Sequence, residues 1–327
     1  MKQETMQKAF MYPPRSQNEF LDLNKKALQK LGYDVQPTDL TFVRYLLSHP
    51  KKAIVILNWV EDRVYGRSYK TTVQYFIKMI LLVIFSKICA KKVIWIKHNF
   101  RPHNSRGSTK RFDFLCKLYS LMNIPPVSLE SYFSKPSLIH PLYKSNNELI
   151  EDLGATEQKS TIEVLFFGGI KPYKNLDKVL LDWPTSLSLK IAGKCSDPSY
   201  TRMLEKVINE RGLKVDWENR FLSTDELNEM LKASKFVLLP HSDNTMISSG
   251  SFYHAIGEGC NVLVNASQFG RVKSEQHTFV HLVDIRKISK EMLRTNFVSK
   301  KEVRKEVLAS YGENRVVEAW NTVLNNA

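Results

Sequence analysis

Residues 236–264 constrain the fold more than any other part of this chain. Phe236-Val-Leu-Leu239 reads as a short buried strand, and Pro240 ends it because proline donates no hydrogen bond to a sheet ladder. A small polar loop closes on Ser248-Ser249-Gly250-Ser251, a helix-like run follows, and Asn261-Val-Leu-Val264 reads as the next strand. That order puts the loop at the carboxyl edge of a parallel sheet, where open α/β folds bind ligands. Unpaired N–H groups at the helix start, with the helix dipole behind them, favour a phosphate. The same four residues could also serve as a simple helix cap.

The rest of the second half alternates strand and helix in the same way. Residues 161–167, 188–193 and 213–217 read as strands, and residues 176–181 and 200–211 as helices. Ser223-Thr-Asp-Glu226 is a capping box that opens another helix. The pattern predicts a doubly wound parallel sheet. Gly168-Gly169 leaves the first of these strands with Lys171 and Lys174 close behind, and Gly193-Lys194 leaves the second. Glycine lets a backbone approach a ligand closely, and lysine supplies charge for an anion, although plain strand–helix turns use glycine as well. The dinucleotide and P-loop glycine signatures are both lacking.

The first half differs in charge. Of the net +15, residues 1–150 contribute 24 Lys+Arg against 10 Asp+Glu, whereas residues 151–327 carry 24 against 23. A one-sided basic half implies an anionic partner and supports a boundary near the middle, with domains over residues 1–155 and 156–327 and a last helix that can pack within the second or cross back to the first. Residues 144–160 form the polar linker candidate. Cys89, Cys116, Cys195 and Cys260 are scattered without metal or redox spacing and read as reduced structural thiols. The opening residues lack the apolar core of a secretory signal.

Two stretches of this half carry most of the information. Residues 69–92 are strongly apolar but hold Lys78 and Lys87, so the lysine-free runs are too short to span a bilayer. They read either as a buried core helix or as a helix lying in a membrane interface, flanked by Lys70, Lys91 and Lys92. Residues 93–97 form a strand that exits into His98-Asn99, with Arg101, His103 and Arg106 following. An earlier buried strand, residues 51–60, sets Asn58, Glu61 and Asp62 at its carboxyl edge. The histidine spacing fits no helical zinc motif, and no metal ligands are expected.

Taken in order, Gly168-Gly-Ile-x-x-Tyr-Lys-Asn175, Ala192-Gly-Lys194, and Leu239-Pro-x-x-Asp243 leading to Ser249-Gly-Ser251 resemble bacterial GT-B glycosyltransferases of the exopolysaccharide and capsule type, including a β-mannosyltransferase-like group. His98-Asn-x-x-Pro-His103 and Ile139-His-Pro-Leu-Tyr143 are similar to signatures of the first domain in that group. The resemblance covers most of the chain. It implies an α/β fold of two Rossmann-like domains facing a central cleft. The second domain would bind a nucleotide-diphosphate sugar through Gly168, Gly169, Lys171, Lys174, Gly193, Lys194, His241, Asp243, Ser248, Ser249, Gly250 and Ser251. Phe221 and Leu222 would border the base, and Asn99, Arg101 and His103 would meet the acceptor.

Retaining members often carry two glutamates with seven residues between them, where this chain has Met246 and His254. The expectation is therefore an inverting, metal-independent hexosyltransferase without cofactor, whose base is one of His98, Glu61, Asp62, His103 or Asp113. GDP-mannose is the first donor expected, and the acceptor is a lipid-linked saccharide on the cytoplasmic face of an anionic membrane. The alternatives are a nucleotide-sugar epimerase or hydrolase on the same fold, or a basic nucleic-acid-binding protein; no aromatic–basic repeat supports the last.

Overall fold

The computed structural model describes residues 6–16, 18–65, 68–102, 108–156, 159–240 and 247–326. They fall into two units. The first takes the described residues of Met1–Pro141, Asn244–Ser248 and Glu313–Ala327, and the second those of Leu142–Asp243 and Ser249–Gly312.

The first unit opens with β1 (Gln7–Tyr12), α1 (Phe20–Lys30), β2 (Tyr33–Pro37), α2 (Leu40–Ser48) and β3 (Ala53–Asn58). It continues through α3 (Tyr69–Cys89), β4 (Lys92–Ile96), α4 (Lys110–Leu121) and β5 (Pro126–Val127). The strands form a parallel sheet in the order β2-β1-β3-β4-β5. All six residues of β3 are buried, and they alternate between the faces: Ile54 and Ile56 pack with Phe20 and Leu28 of α1, Val55 and Leu57 with Phe42, Val83 and Leu115 of α2, α3 and α4. The chain passes from β1 to β2 on one side and returns to β3 on the other, so the strand order reverses between β1 and β3.

The helices begin where the sequence offers caps. The Asp39 carboxylate accepts from the N–H groups of Thr41 and Phe42 at the start of α2, and Ser68 forms a capping box with Thr71 at the start of α3. By length and composition α3 could cross a bilayer, with 21 residues and a mean hydropathy of 1.7 over its most apolar window. Here it lays Thr72, Met79, Val83 and Ser86 on the sheet and leaves Ile77, Leu81 and Ile88 exposed. Of the two readings of this stretch, a helix buried on all sides is not what forms: one stripe is buried and the opposite face is exposed.

The second unit runs α5 (Asn146–Gly154), β6 (Ile162–Phe167), α6 (Leu176–Asp182), β7 (Ser188–Ala192), α7 (Pro198–Glu210), β8 (Lys214–Glu218) and α8 (Thr224–Ala233). Then come β9 (Ser234–Leu239), α9 (Gly250–Gly257), β10 (Asn261–Val264), α10 (Gln268–Gln276), β11 (Val280–Leu282), α11 (Lys290–Thr295) and α12 (Lys300–Tyr311). Its sheet is parallel, ordered β11-β10-β9-β6-β7-β8, and reverses between β6 and β9. The segment expected to be a polar linker contains α5, which Ser145 and Glu148 close with a capping box and which buries Leu149. The polar composition concealed a capped amphipathic helix.

The chain ends on α13 (Glu313–Asn326), which belongs to the first unit. Trp320 is fully buried there and its indole N–H donates to the Asn24 side-chain oxygen at 2.7 Å. The Lys92 ammonium donates to the carbonyls of Val323 and Leu324 at the end of this helix, where the dipole favours a cation.

Candidate functional site

In the second unit the loops leaving β6 and β7 run side by side. The N–H of Gly168 donates to Ala192 at 2.9 Å, Ile170 to Lys194 at 3.0 Å, and Gly193 to Glu218 at 3.1 Å. Gly168 and Gly193 hold φ of +89° and +151°, and a Cβ on Gly193 would strike the Gly168 carbonyl. Only glycine allows this crossing. Nothing lies within 4 Å of where a Cβ on Gly169 would stand, so that backbone faces open space.

Lys174 lies beneath this crossing. It follows β6 in a short 3₁₀ turn and is only 8% exposed. Its ammonium donates to the Phe167 carbonyl at 3.4 Å and stands 5.8 Å from the Phe166 ring centre, with no carboxylate in contact among the described residues. Burial, with a smaller push from Lys171, lowers its pKa to about 8. A cation desolvated this far without a counter-ion is costly, and an anion would relieve the cost. Lys171 and Lys194 are exposed on the same loops.

The Asn175 side chain, on a left-handed backbone at φ +56°, donates to the Pro240 carbonyl at 3.2 Å and so ties the β6 exit to the end of β9. α9 starts at Gly250 and Ser251 after the β9 loop, and its N-cap residue Ser249 makes no cap bond; the Ser249 hydroxyl is buried and has no partner. The α9 residue His254 sets its ring edge-on to Phe167 at 6.0 Å, returning α9 to the β6 exit. Gly168, Gly169, Lys174 and Ser249–Ser251 thus hang from the two strands flanking the reversal in this sheet. Phe221, beyond β8, is 83% exposed beside Leu222, and Arg220 there pairs with Glu218 and Glu226.

Ser248 is placed elsewhere. It belongs to the first unit, where its hydroxyl donates to Glu130 at 2.8 Å, while the N–H of Ile247 donates to the His98 carbonyl at 3.1 Å. His103, Arg106, His241, Asp243 and Met246 lie outside the described residues.

The first unit gathers a second cluster at its own strand reversal. Asn58, at the end of β3, donates from its amide to the Tyr12 carbonyl at 3.0 Å, which leaves its oxygen for His98 Nε2 at 3.1 Å. His98 must therefore carry its proton on Nε2 and present a lone pair at Nδ1. Its ring stacks on Trp59 at 4.3 Å and meets Phe20 edge-on at 5.1 Å. Burial, helped by His140, pulls its pKa down to about 3, so it stays neutral. Trp59 takes a left-handed backbone at φ +52° to make this stack; no sequence signal marks that conformation.

Glu61 and Asp62 follow at once. Glu61 is fully buried; one carboxyl oxygen accepts from the Trp95 indole at 3.0 Å and the other has no partner. Burial, then the charge of Asp62, raises its pKa to about 8, so it is mostly protonated at neutral pH. Asp62 accepts from the Asn99 amide at 2.6 Å on Oδ2 and has no partner on Oδ1. Burial raises its pKa to about 6 against the lowering effects of Asn99, Lys97 and Arg63. Lys97 sits 5.3–5.8 Å from the ring centres of Trp95, Phe112 and Phe133, a cage the sequence did not reveal. Arg101 is exposed, and the carboxylate of Asp113 accepts from the Thr109 hydroxyl at 2.6 Å as α4 begins.

No family model matches the sequence, and no curated protein sequence does either. Solved structures do match along the whole chain. AviGT4, a glycosyltransferase involved in avilamycin A biosynthesis, superposes with a TM-score of 0.59 at 14% identity, covering 98% of both chains. A glycosyltransferase from Rickettsia africae gives 0.60 at 9% identity, covering 98% of this chain and 99% of the other. HepE from Anabaena, solved in complex with UDP-glucose, gives 0.52 at 11% identity, covering 97% and 99%. At such identities the likeness speaks for the fold: two parallel-sheet, Rossmann-like domains of the GT-B class.

Proposed function

We propose that this chain is a glycosyltransferase that moves a hexosyl group from a nucleotide-diphosphate sugar to a lipid-linked saccharide in surface polysaccharide synthesis. The observation that carries the reading is the buried ammonium of Lys174, without a carboxylate partner among the described residues, beneath the Gly168–Gly193 crossing. An anion-seeking cation, open glycine backbone and the N-terminus of α9 together meet the charge of a departing diphosphate without calling on a metal. Phe221 offers an exposed ring to a base. The GT-B neighbours support nucleotide-sugar chemistry, and the UDP-glucose in HepE is an instance of it. GDP-mannose remains the first donor to try.

The first unit would take the acceptor and supply the base. Asp62 suits that task better than its neighbours: Glu61 is already protonated at neutral pH, and His98 is too weak a base at about 3. In an inverting transfer the acceptor oxygen attacks the anomeric carbon and gives its proton to Asp62. The bond from that carbon to the diphosphate oxygen breaks, and its electron pair leaves with the nucleotide.

A membrane surface fits the outer faces of α2, α3 and α4. These helices expose Leu40, Leu47, Ile77, Leu81, Phe114 and Leu121, and across all three Asp113 is the single acidic residue against Arg44, Lys70, Lys78, Lys87, Lys110, Arg111 and Lys117. Apolar side chains ringed by lysine suit an anionic interface. This supports a peripheral placement, for which the cytoplasmic face is the one we propose. Lys92, expected among the flanking lysines, is instead committed to the end of α13.

Thermal unfolding with GDP-, UDP- and dTDP-linked hexoses tests the donor assignment. The correct donor at 100 times its dissociation constant should add about 2.7 kcal/mol of stability, and an unchanged melting temperature with all three would reject the reading. For the base, Asp62→Asn should cut kcat by about 100- to 10,000-fold. Glu61→Gln, which replaces a group already neutral, should keep most of the rate. Because Asp62 works deprotonated, kcat/KM should fall as pH drops through about 6; a flat acid limb, or a larger loss from Glu61→Gln, would remove Asp62 from this role. For the membrane, the triple change K70Q/K78Q/K91Q should weaken binding to phosphatidylserine vesicles by roughly 100-fold, at about 1 kcal/mol per lysine. Unaltered binding would contradict the placement.

A further inference from the structure

A cavity of about 240 Å³ opens in the first unit at the exits of β1 and β2. Its walls come from Pro13 and Arg15 after β1, Leu21, Asp22 and Lys25 on α1, and Gln36 at the end of β2. It shares its strand edge with the base cluster. Tyr12, the residue before Pro13, accepts from Asn58, and Phe20, the residue before Leu21, packs edge-on to His98. The volume is below that of drug-sized ligand sites, about 300–1,000 Å³, and suits a single sugar ring better than a nucleotide.

The lining states a chemistry. Leu21 and Pro13 are buried and give an apolar floor for the C–H face of a pyranose. Among the described residues Arg15 and Lys25 have no carboxylate partner, whereas Lys8 on β1 and Lys30 on α1 are paired with Asp34 and Glu313. Gln36 commits its amide nitrogen to Asp34 at 2.5 Å and keeps its carbonyl oxygen for a hydroxyl. Asp22 adds one carboxylate, so the cavity carries one net positive charge and both donors and acceptors. That combination selects against a neutral sugar and against a bare polyanion.

We propose that this cavity is a subsite for an anionic sugar residue, a pyranose bearing a carboxylate or a phosphate, and that the acceptor is accordingly an acidic saccharide. Arg15 and Lys25 bind the acid group while Asp22 and Gln36 take ring hydroxyls. The proposal rests on reading the first unit as the acceptor side, but its test does not depend on turnover.

Calorimetric titration of the full chain with D-glucuronate, glucose 6-phosphate, glucose and inorganic phosphate decides it. At least one of the two acid sugars should bind at least about tenfold more tightly than both glucose and inorganic phosphate. The double change R15A/K25A should lose that margin and K25R should keep most of it. R15A/K25A should also keep the wild-type circular dichroism and ligand-free melting temperature, which report that it folds. Equal binding of glucose, equal binding of inorganic phosphate, or undiminished acid-sugar binding by a folded R15A/K25A would each overturn the proposal. If no nucleotide sugar shifts the wild-type melting temperature while glucuronate still binds in an Arg15- and Lys25-dependent way, the donor assignment fails and the subsite stands.

Discussion

The second unit depends on an ammonium held out of water with no carboxylate to balance it among the described residues. A lysine is ordinarily left in water or paired with an acid, and Lys174 is given neither there. Instead the 3₁₀ turn after β6 folds it under the Gly168–Gly193 crossing, against the Phe167 carbonyl and the Phe166 ring. Charge in such a place is a standing cost to the fold, offset by the packing of β6 and α6 around it. It becomes useful when a diphosphate arrives. The left-handed glycines, the Asn175 link to Pro240 and the uncapped start of α9 then have a shared purpose, because each keeps backbone or cation available to an anion.

The first unit makes the opposite electrostatic choice at the equivalent topological position. Between β1 and β3 it buries two carboxyl groups and a neutral imidazole in a basic domain. The two acids diverge because their surroundings do. Glu61 is sealed behind Trp95, while Asp62 is less completely buried, held on one oxygen by Asn99 and close to Lys97 and Arg63. Separation of two adjacent pKa values by environment is how a pair of like groups takes different roles. In neither unit did the reversal point need a named motif to be found, since strand order alone locates it.

The parallel sheet of the second unit was legible because short apolar runs bounded by Pro240, Gly168 and Gly193 have few other uses. The helical pattern likewise placed α7, and the Ser223–Glu226 capping box placed the start of α8. What escaped was set by three-dimensional context. Apolar content alone could not tell that α3 buries one stripe and exposes another, and a polar stretch concealed α5 because its single buried contact, Leu149, is easily overlooked. Local sequence could not show that Lys174 is buried while Lys171 is exposed, that Lys97 is ringed by aromatics from three separate elements, or that Trp59 adopts a positive φ. Arg15 and Lys25 passed unnoticed because a loop arginine and a helix lysine are ordinary until a cavity joins them. Ser248 and Ser249, adjacent in the chain, are divided between the two units, a division no motif could signal.

Proton linkage at Lys174 tests the anion site most directly. Burial lowers its pKa to about 8, and a bound diphosphate must raise it again, so binding near pH 8.5 should draw protons from solution. Calorimetry of nucleoside diphosphate binding in buffers of different ionisation enthalpy measures that uptake. The expected result is uptake of a fraction of a proton per nucleotide at pH 8.5, lost in Lys174→Met together with most of the affinity. Binding without proton uptake, or equally tight binding by Lys174→Met, would contradict it.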